Sequence, residues 1–256
     1  MESFSTLNEL RSSTMNTKMT TLAAAVLMTA SPLAISTAAA EVTFSGNVTL
    51  TSDYMYRGIS QTDNGPAIQG GFDLEHSSGF YAGIWASNLD FSTDTTNDNS
   101  DIEIDYYAGV AGEFSNKIGW DVGVLYYSYP SSSDADNGDY DFTEVYGSLS
   151  YDFGPAALTG GLAYSSDFFG SNTGDATYVT LDVDVPLPNE FALNLHYGDQ
   201  SIDGENGNDD GDYDEWKVGL SRSFGGFDFA LDYHDTDLDD NNLADDRVVF
   251  SISKSL

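Results

Sequence analysis

The chain has 256 residues, with 42 Asp and Glu against 8 Lys and Arg, a formal net charge of −34 at pH 7 and no cysteine. So large an excess of negative charge repels phosphate and excludes nucleic acid as a partner. The absence of thiols excludes disulfides, Cys-ligated zinc and a thiol nucleophile.

Residues 15–40 have the three parts of a secretory signal peptide. Met15-Asn16-Thr17-Lys18 opens a short positive region, residues 22–30 form an apolar core, and Ala38-Ala39-Ala40 is a small-residue cleavage site. The expected division is 1–40, an N-terminal extension plus a cleaved signal peptide, and 41–256, the mature protein, exported through the Sec pathway. Residues 1–14 fit no part of that plan, which leaves either a start at Met15 or an extended positive region. A retained anchor over 22–40 is the other reading, and its Thr and Ala content and cleavage-like end weigh against it. Beyond residue 40 no run of about 18 apolar residues occurs, so no transmembrane helix is expected in the mature chain.

Residues 41–62 set the pattern for everything that follows. Val42, Phe44, Gly46, Val48, Leu50, Ser52, Tyr54 and Tyr56 alternate with Thr43, Ser45, Asn47, Thr49, Thr51 and Asp53. Side chains of a strand point to opposite faces in turn, so this reads as one strand with an apolar side and a polar side. Its length suits the roughly 10-residue tilted strand that crosses a bilayer better than the roughly 5–6 residues usual in soluble sheets.

The alternation recurs over 67–76, 80–91, 101–114, 119–129, 142–153, 156–169, 177–185, 191–197, 215–224, 227–234 and 248–256. Between 101 and 114, Ile102, Ile104, Tyr106, Ala108 and Val110 oppose Asp101, Glu103 and Asp105. Between 177 and 185, Val179, Leu181 and Val183 oppose Thr180, Asp182 and Asp184. Short turns such as Ser77-Ser78-Gly79, Ser115-Asn116-Lys117, Gly154-Pro155 and Gly225-Gly226 alternate with long polar loops. The fold class this predicts is all-β: a transmembrane antiparallel up-and-down β-barrel of about 12 strands, with short periplasmic turns and longer acidic extracellular loops.

Aromatic residues give a second line of argument. Phe44, Phe114, Trp120, Tyr151, Phe153, Phe191, Phe224 and Phe227 fall next to short turns or the N-terminal end, whereas Tyr54, Tyr56, Tyr126, Tyr129, Phe168, Tyr197, Trp216 and Tyr233 fall next to long loops. Two belts of this kind match the two interfaces of a membrane. A secreted β-sandwich, the soluble alternative, concentrates its large aromatics at mid-strand.

The stretch Ser52-Asp53-Tyr54-Met55-Tyr56-Arg57-Gly58-Ile59-Ser60-Gln61-Thr62 continues as Pro66-Ala67-Ile68-Gln69-Gly70-Gly71-Phe72-Asp73 and then Gly79-Phe80-Tyr81-Ala82-Gly83-Ile84-Trp85-Ala86-Ser87-Asn88. It resembles the TorF-type family of outer-membrane porins of proteobacteria, a family of unknown function. The resemblance is specific in the first third of the mature chain and extends as pattern to the closing stretch Val248-Val249-Phe250-Ser251-Ile252-Ser253-Lys254-Ser255-Leu256. It implies a barrel of the outer membrane of a Gram-negative bacterium, inserted by the barrel-assembly machinery among outer-membrane lipid and lipopolysaccharide. Such barrels usually end on an aromatic; here the last residue is Leu256, with Phe250 placed to share that role.

If the apolar faces meet lipid, the lumen receives Asp73, Glu75, Glu103, Asp105, Asp121, Asp182, Asp184, Asp228 and Asp232, set against Lys217. A pore lined in this way gathers cations and repels anions. The candidate pore-lining set is Arg57, Asp73, Glu103, Asp105, Asp182, Asp184, Lys217 and Asp232. Arg57 is one of six basic residues after Glu41. It stands near Asp53 and the strand of Asp73, either as a pore-mouth cation or as a salt-bridged corner where Gly58 supplies the turn. About 12 strands lie between the filled interior of 8 and the open channel of 16, so the lumen reads as a narrow pore. Its rival is a plug in which the carboxylates are hydrogen-bonded to Tyr, Asn and Gln.

Three loop stretches, residues 134–139, 208–212 and 237–241, crowd oxygen ligands that would suit calcium, but none has the closing Glu of an EF-hand loop. Solvated acidic loops are the plainer reading. No other cofactor is expected. His76, His196 and His234 are the only histidines, and no Ser-centred elbow, Gly-rich phosphate loop or paired-His spacing accompanies them, so no catalysis is expected. The expected function is passive diffusion of small hydrophilic or cationic solutes, with a non-conducting barrel that displays acidic loops as the alternative. Oligomeric state is left open by the sequence.

Overall fold

The computed structural model describes residues 42–91, 100–130, 140–170, 174–203, 211–239 and 241–256. Its strands are β1 (Val42–Thr51), β2 (Met55–Tyr56), β3 (Ile59–Ser60), β4 (Ala67–His76), β5 (Phe80–Asn88), β6 (Ile102–Glu113) and β7 (Ile118–Ser128). They continue as β8 (Phe142–Asp152), β9 (Ala157–Ser165), β10 (Asp175–Leu187), β11 (Phe191–Asp203), β12 (Tyr213–Phe224), β13 (Phe227–Thr236) and β14 (Arg247–Ser255). All but β2 and β3 form one closed antiparallel barrel of 12 strands in which each strand pairs with its chain neighbours. The seam joins β1 to β14 over Asn47–Thr51 and Ser251–Ser255. Closure pairs every barrel strand on both sides and so removes the free edge strands of an open sheet.

The two faces of the wall differ as the alternation requires. Outside stand Phe44, Leu50, Ile68, Phe72, Val122, Leu149, Leu162, Leu181, Leu220, Leu231 and Phe250, all exposed and the most open of them, Phe44, at 71%. Inside stand Glu103, Asp105, Tyr107, Asp121, Tyr127, Glu144, Tyr146, Tyr178, Asn194, Gln200 and Glu215, all buried. Apolar outside and polar inside is the inverse of a protein that folds around an apolar core in water, and it is the arrangement of a barrel whose outer wall meets hydrocarbon.

Large side chains fit inside the wall because glycines lie beside them. Tyr107 pairs with Gly83 and Tyr81 with Gly109 across β5 and β6, and Tyr146 pairs with Gly123 across β7 and β8. A Cβ on any of these glycines would collide with the facing ring, so the tyrosines lie against the wall over them.

The aromatic belts are present with four exceptions. Tyr126, Tyr197, Trp216 and Tyr233 are outward near the long loops, and Phe114, Tyr151, Phe153, Phe224 and Phe227 near the short turns. At the long-loop rim the outward tyrosines are pinned by carboxylates at, or just before, the start of the next strand: Tyr126 to Asp141 at 2.5 Å, Tyr164 to Asp175 at 2.7 Å, Tyr197 to Asp214 at 2.7 Å and Tyr233 to Asp246 at 2.9 Å. Tyr129 and Phe168 instead pack in the buried cluster with Tyr127 and Phe142, and Tyr54 and Tyr56 pack against that cluster.

That difference corrects the first strand. The alternation over 42–56 reads as one strand, but β1 ends at Thr51 and the chain turns inward. Met55 pairs with Ser60 and Tyr56 with Ile59 in a two-residue hairpin, with Arg57 (φ 48°) and Gly58 (φ 78°) at its tip. Positive φ at both central residues is the signature of a type I′ turn, which suits the twist of a tight hairpin. Gly58 is also packed closely: a Cβ there would lie 2.5 Å from Cγ2 of Thr236 and 2.9 Å from Cβ of Glu215. A second correction concerns β11, which runs on to Asp203 where residues 199–212 read as loop. Gln200 and Ser201 pair with Tyr178 and Thr177 and carry the strand outward.

Candidate functional site

The hairpin of β2 and β3 lies inside the barrel at the long-loop end, and the site is built around it. Its base is fixed by Asp53. One carboxylate oxygen accepts from Ser60 Oγ at 2.6 Å and Thr62 Oγ1 at 3.0 Å, and the other from Arg247 Nη1 at 2.9 Å. This replaces the expected proximity of Arg57 to Asp53: the partner of Asp53 is Arg247. The flanks are held by Tyr54, whose hydroxyl donates to Glu103 at 3.2 Å and whose ring meets Trp85 edge-on at 5.4 Å. Tyr56 meets Tyr127 edge-on at 5.8 Å.

At the tip, Arg57 is buried rather than set at the mouth. Its Nη2 donates to Glu144 Oε1 at 2.5 Å and its Nη1 to Gln200 Oε1 at 2.6 Å. Its guanidinium carbon lies 4.1 Å from the ring centre of Tyr178, 4.8 Å from Tyr56 and 5.4 Å from Phe168. Charged donors on buried, oriented acceptors make the stronger class of hydrogen bond, and the three rings add cation–π attraction. Both sequence readings of Arg57 are modified: the residue is ion-paired and Gly58 does supply the turn, but the pair spans the lumen interior.

A second constellation adjoins the first. His196 holds Asp182 at Nδ1 (2.6 Å) and Glu215 at Nε2 (2.7 Å), and the Tyr178 hydroxyl donates to the same Glu215 oxygen at 2.5 Å. Tyr178 thus links the two, its ring against Arg57 and its hydroxyl on Glu215. In register, His196 stands opposite Lys217, and Lys217 opposite His234. Among the described residues no group of three or more His, Asp and Glu has the arrangement of a metal site.

The eight expected pore residues all take inward places, but they do not form one cluster. Glu103 and Asp105 share the inward face of β6 below the hairpin. Asp182 joins His196 and Glu215. Asp184 accepts from Asn194 at 2.6 Å and Asp73 from the Tyr107 hydroxyl, both nearer the short turns. Asp232 stands opposite Gly219, two residues along β12 from Lys217. The Tyr and Asn partners are those expected of a plugged lumen, yet not every oxygen is so engaged. Asp105 Oδ1, Asp121 Oδ2 and Asp232 Oδ1 are buried without a hydrogen-bond partner among the described residues. Of the acidic loops, residues 134–139, 208–210 and 240 lie outside the described residues.

Glu144, Gln200, Tyr178 and Glu215 escaped the sequence reading. Glu144 alternates with outward Val145, a signal that was present, but Phe142 and Tyr146 share its face and made it look mixed. Gln200 fell in a stretch read as loop.

Comparison with solved structures returns porin barrels. The NanC porin is 11% identical, covers 82% of this chain and 97% of its own, and has a TM-score of 0.51. A chain from a study of the in-meso crystallization of membrane proteins is 11% identical, covers 83% of both chains and has a TM-score of 0.50. At such identity the likeness shows the fold alone. No curated protein matches the chain significantly. Residues 35–256 match the family model described as bacterial protein of unknown function (Gcw_chp), and the protein belongs to that family.

Proposed function

We propose that the protein is an outer-membrane diffusion channel for small hydrophilic solutes, with a preference for cations and a path narrowed by the inward hairpin. The observation that carries this reading is the lumen charge. Asp73, Glu103, Asp105, Asp121, Asp182, Asp184, Glu215 and Asp232 face inward, while the inward Lys and Arg among the described residues are Arg57, Lys217 and Arg247, of which Arg57 is neutralised by Glu144 and Arg247 by Asp53. In a low-dielectric wall such an excess raises the local cation concentration and excludes anions. The exposed apolar outer wall supports a membrane location, and the likeness of residues 52–62, 66–73 and 79–88 to TorF-type porins supports the outer membrane. Secretion through the Sec pathway with removal of residues 1–40, insertion by the barrel-assembly machinery and contact with lipopolysaccharide belong to the same reading. Transport is passive and involves no chemical step.

One observation favours a second reading. Tyr54 and Tyr56 of the hairpin segment pack against a buried aromatic cluster in the long-loop half of the lumen, an arrangement that suits a non-conducting barrel serving as a platform for acidic loops. Liposome swelling separates the two. Refolded protein in vesicles should admit small cationic amino acids faster than neutral ones of equal size, and anionic ones slowest. Vesicles that hold verified, heat-modifiable protein yet swell with none of them would support the platform.

A further inference from the structure

The cavity that Arg57 fills is made almost entirely by the barrel wall. Glu144 comes from β8, Tyr178 from β10 and Gln200 from β11, while Phe168 comes from the connection between β9 and β10. Of the surrounding groups only Tyr56 arrives with the hairpin. Each wall group is also oriented without help from Arg57. The second oxygen of Glu144 accepts from the Tyr127 hydroxyl at 3.0 Å. The Gln200 amide donates to the carbonyls of Ser201 at 3.2 Å and Thr177 at 3.4 Å, which turns its oxygen toward the cavity. The Tyr178 ring is fixed by its hydroxyl on Glu215.

Two acceptors in different directions and an aromatic face 4.1 Å from the cation's carbon describe a site for a flat, delocalised cation with forked donors. A compact ammonium could satisfy one acceptor and stack on none. With the hairpin lifted, Glu144 would be left a carboxylate without its counter-charge, and a cation bound in place of Arg57 would restore the pairing. The hairpin is short and joined to the wall through Asp53, so Arg57 is a tethered ligand present at high effective concentration.

We infer that this wall cavity is a binding site for a free alkylguanidinium cation, and that Arg57 occupies it until such a solute displaces the hairpin. Binding to the wall stands apart from conduction; only the consequence, that the solute opens its own path, rests on the channel reading.

The test uses ethylguanidinium, with neutral ethylurea as the shape-matched control, on detergent-folded full-length mature protein. In calorimetry, Arg57→Ala should bind one ethylguanidinium per barrel, at least tenfold more tightly than wild type, and ethylurea not at all. Adding Glu144→Gln to Arg57→Ala should weaken that binding at least tenfold. In wild type, ethylguanidinium should speed chymotrypsin cleavage after Tyr56 several-fold and ethylurea should leave it unchanged. A heat-modifiable Arg57→Ala barrel that binds ethylguanidinium no better than wild type, or no better than ethylurea, overturns the inference. If Arg57→Ala does not fold, the wild-type arm decides alone: protection after Tyr56 that ethylguanidinium does not change overturns it. Binding in a barrel that carries no current would leave this site standing and remove the channel reading instead.

Discussion

Replacement of Glu144 by Gln should release the hairpin. The substitution keeps shape and an acceptor but removes the charge that faces Arg57 at 2.5 Å. Both side chains are buried, at 6% and 3% exposure, so water cannot replace the lost partner. Breaking one side of a buried pair costs about 3 to 5 kcal/mol, because the other charge is left uncompensated. Arg57 keeps Gln200 and its three rings, which favours the lower end. At about 1.4 kcal/mol per tenfold, a loss near 3 kcal/mol raises the open population roughly 150-fold. Trypsin reads that population at the Arg57–Gly58 bond, which is shielded while Arg57 is seated. When the hairpin opens and closes faster than it is cut, the cleavage rate follows the open fraction. The variant should therefore be cut at this bond about two orders of magnitude faster than wild type. Equal rates in the two proteins, with both barrels intact by heat-modifiable migration, would refute the buried pair as the latch.

Gly58→Ala should act in the same direction by another route, since the added Cβ would meet Thr236 and Glu215 at 2.5 and 2.9 Å and φ is 78°. Faster trypsin cleavage at Arg57 checks it, and unaltered protection would contradict the packing. Leu231→Arg places a charge on the outward face, opposite Leu220 and Phe250. In vesicles it should lower unfolding stability by about 2 to 4 kcal/mol if this site lies near the bilayer midplane. A water-exposed position would change by less than about 0.5 kcal/mol. Tyr233→Phe removes an exposed hydroxyl bond to Asp246 and should leave stability in the same assay indistinguishable from wild type, a clear loss meaning that the rim pair is shielded from water.

The barrel was legible in the sequence because it rests on local parity. Each strand states its own faces, and the alternation of Ile102, Ile104 and Tyr106 with Glu103 and Asp105 needs no partner to be read. The strand count follows from the same rule. The hairpin was hidden by that rule. Tyr54 and Tyr56 continue the even-numbered apolar face of β1, so nothing in the period marks the turn after Thr51. What did mark it was subtler: Asp53 followed by Ser60 and Thr62, with Arg57-Gly58 midway between. The site was less legible still. Arg57 meets Glu144 and Gln200 at sequence separations of 87 and 143 residues. Those contacts exist only once the barrel has closed and its lumen has a width. Parity places a carboxylate inside the wall but cannot say which partner waits across it.

Whether the acidic lumen carries cations is read from the reversal potential of the mature protein in a planar bilayer under a potassium chloride gradient. A cation-selective channel should give discrete current steps with a reversal potential displaced toward that of potassium. Asp182→Asn with Asp184→Asn should shrink the displacement, because each removes a carboxylate from the inward face of β10. A reversal potential at zero or on the chloride side, or one that the two substitutions leave unchanged, would contradict an acidic lumen that carries cations.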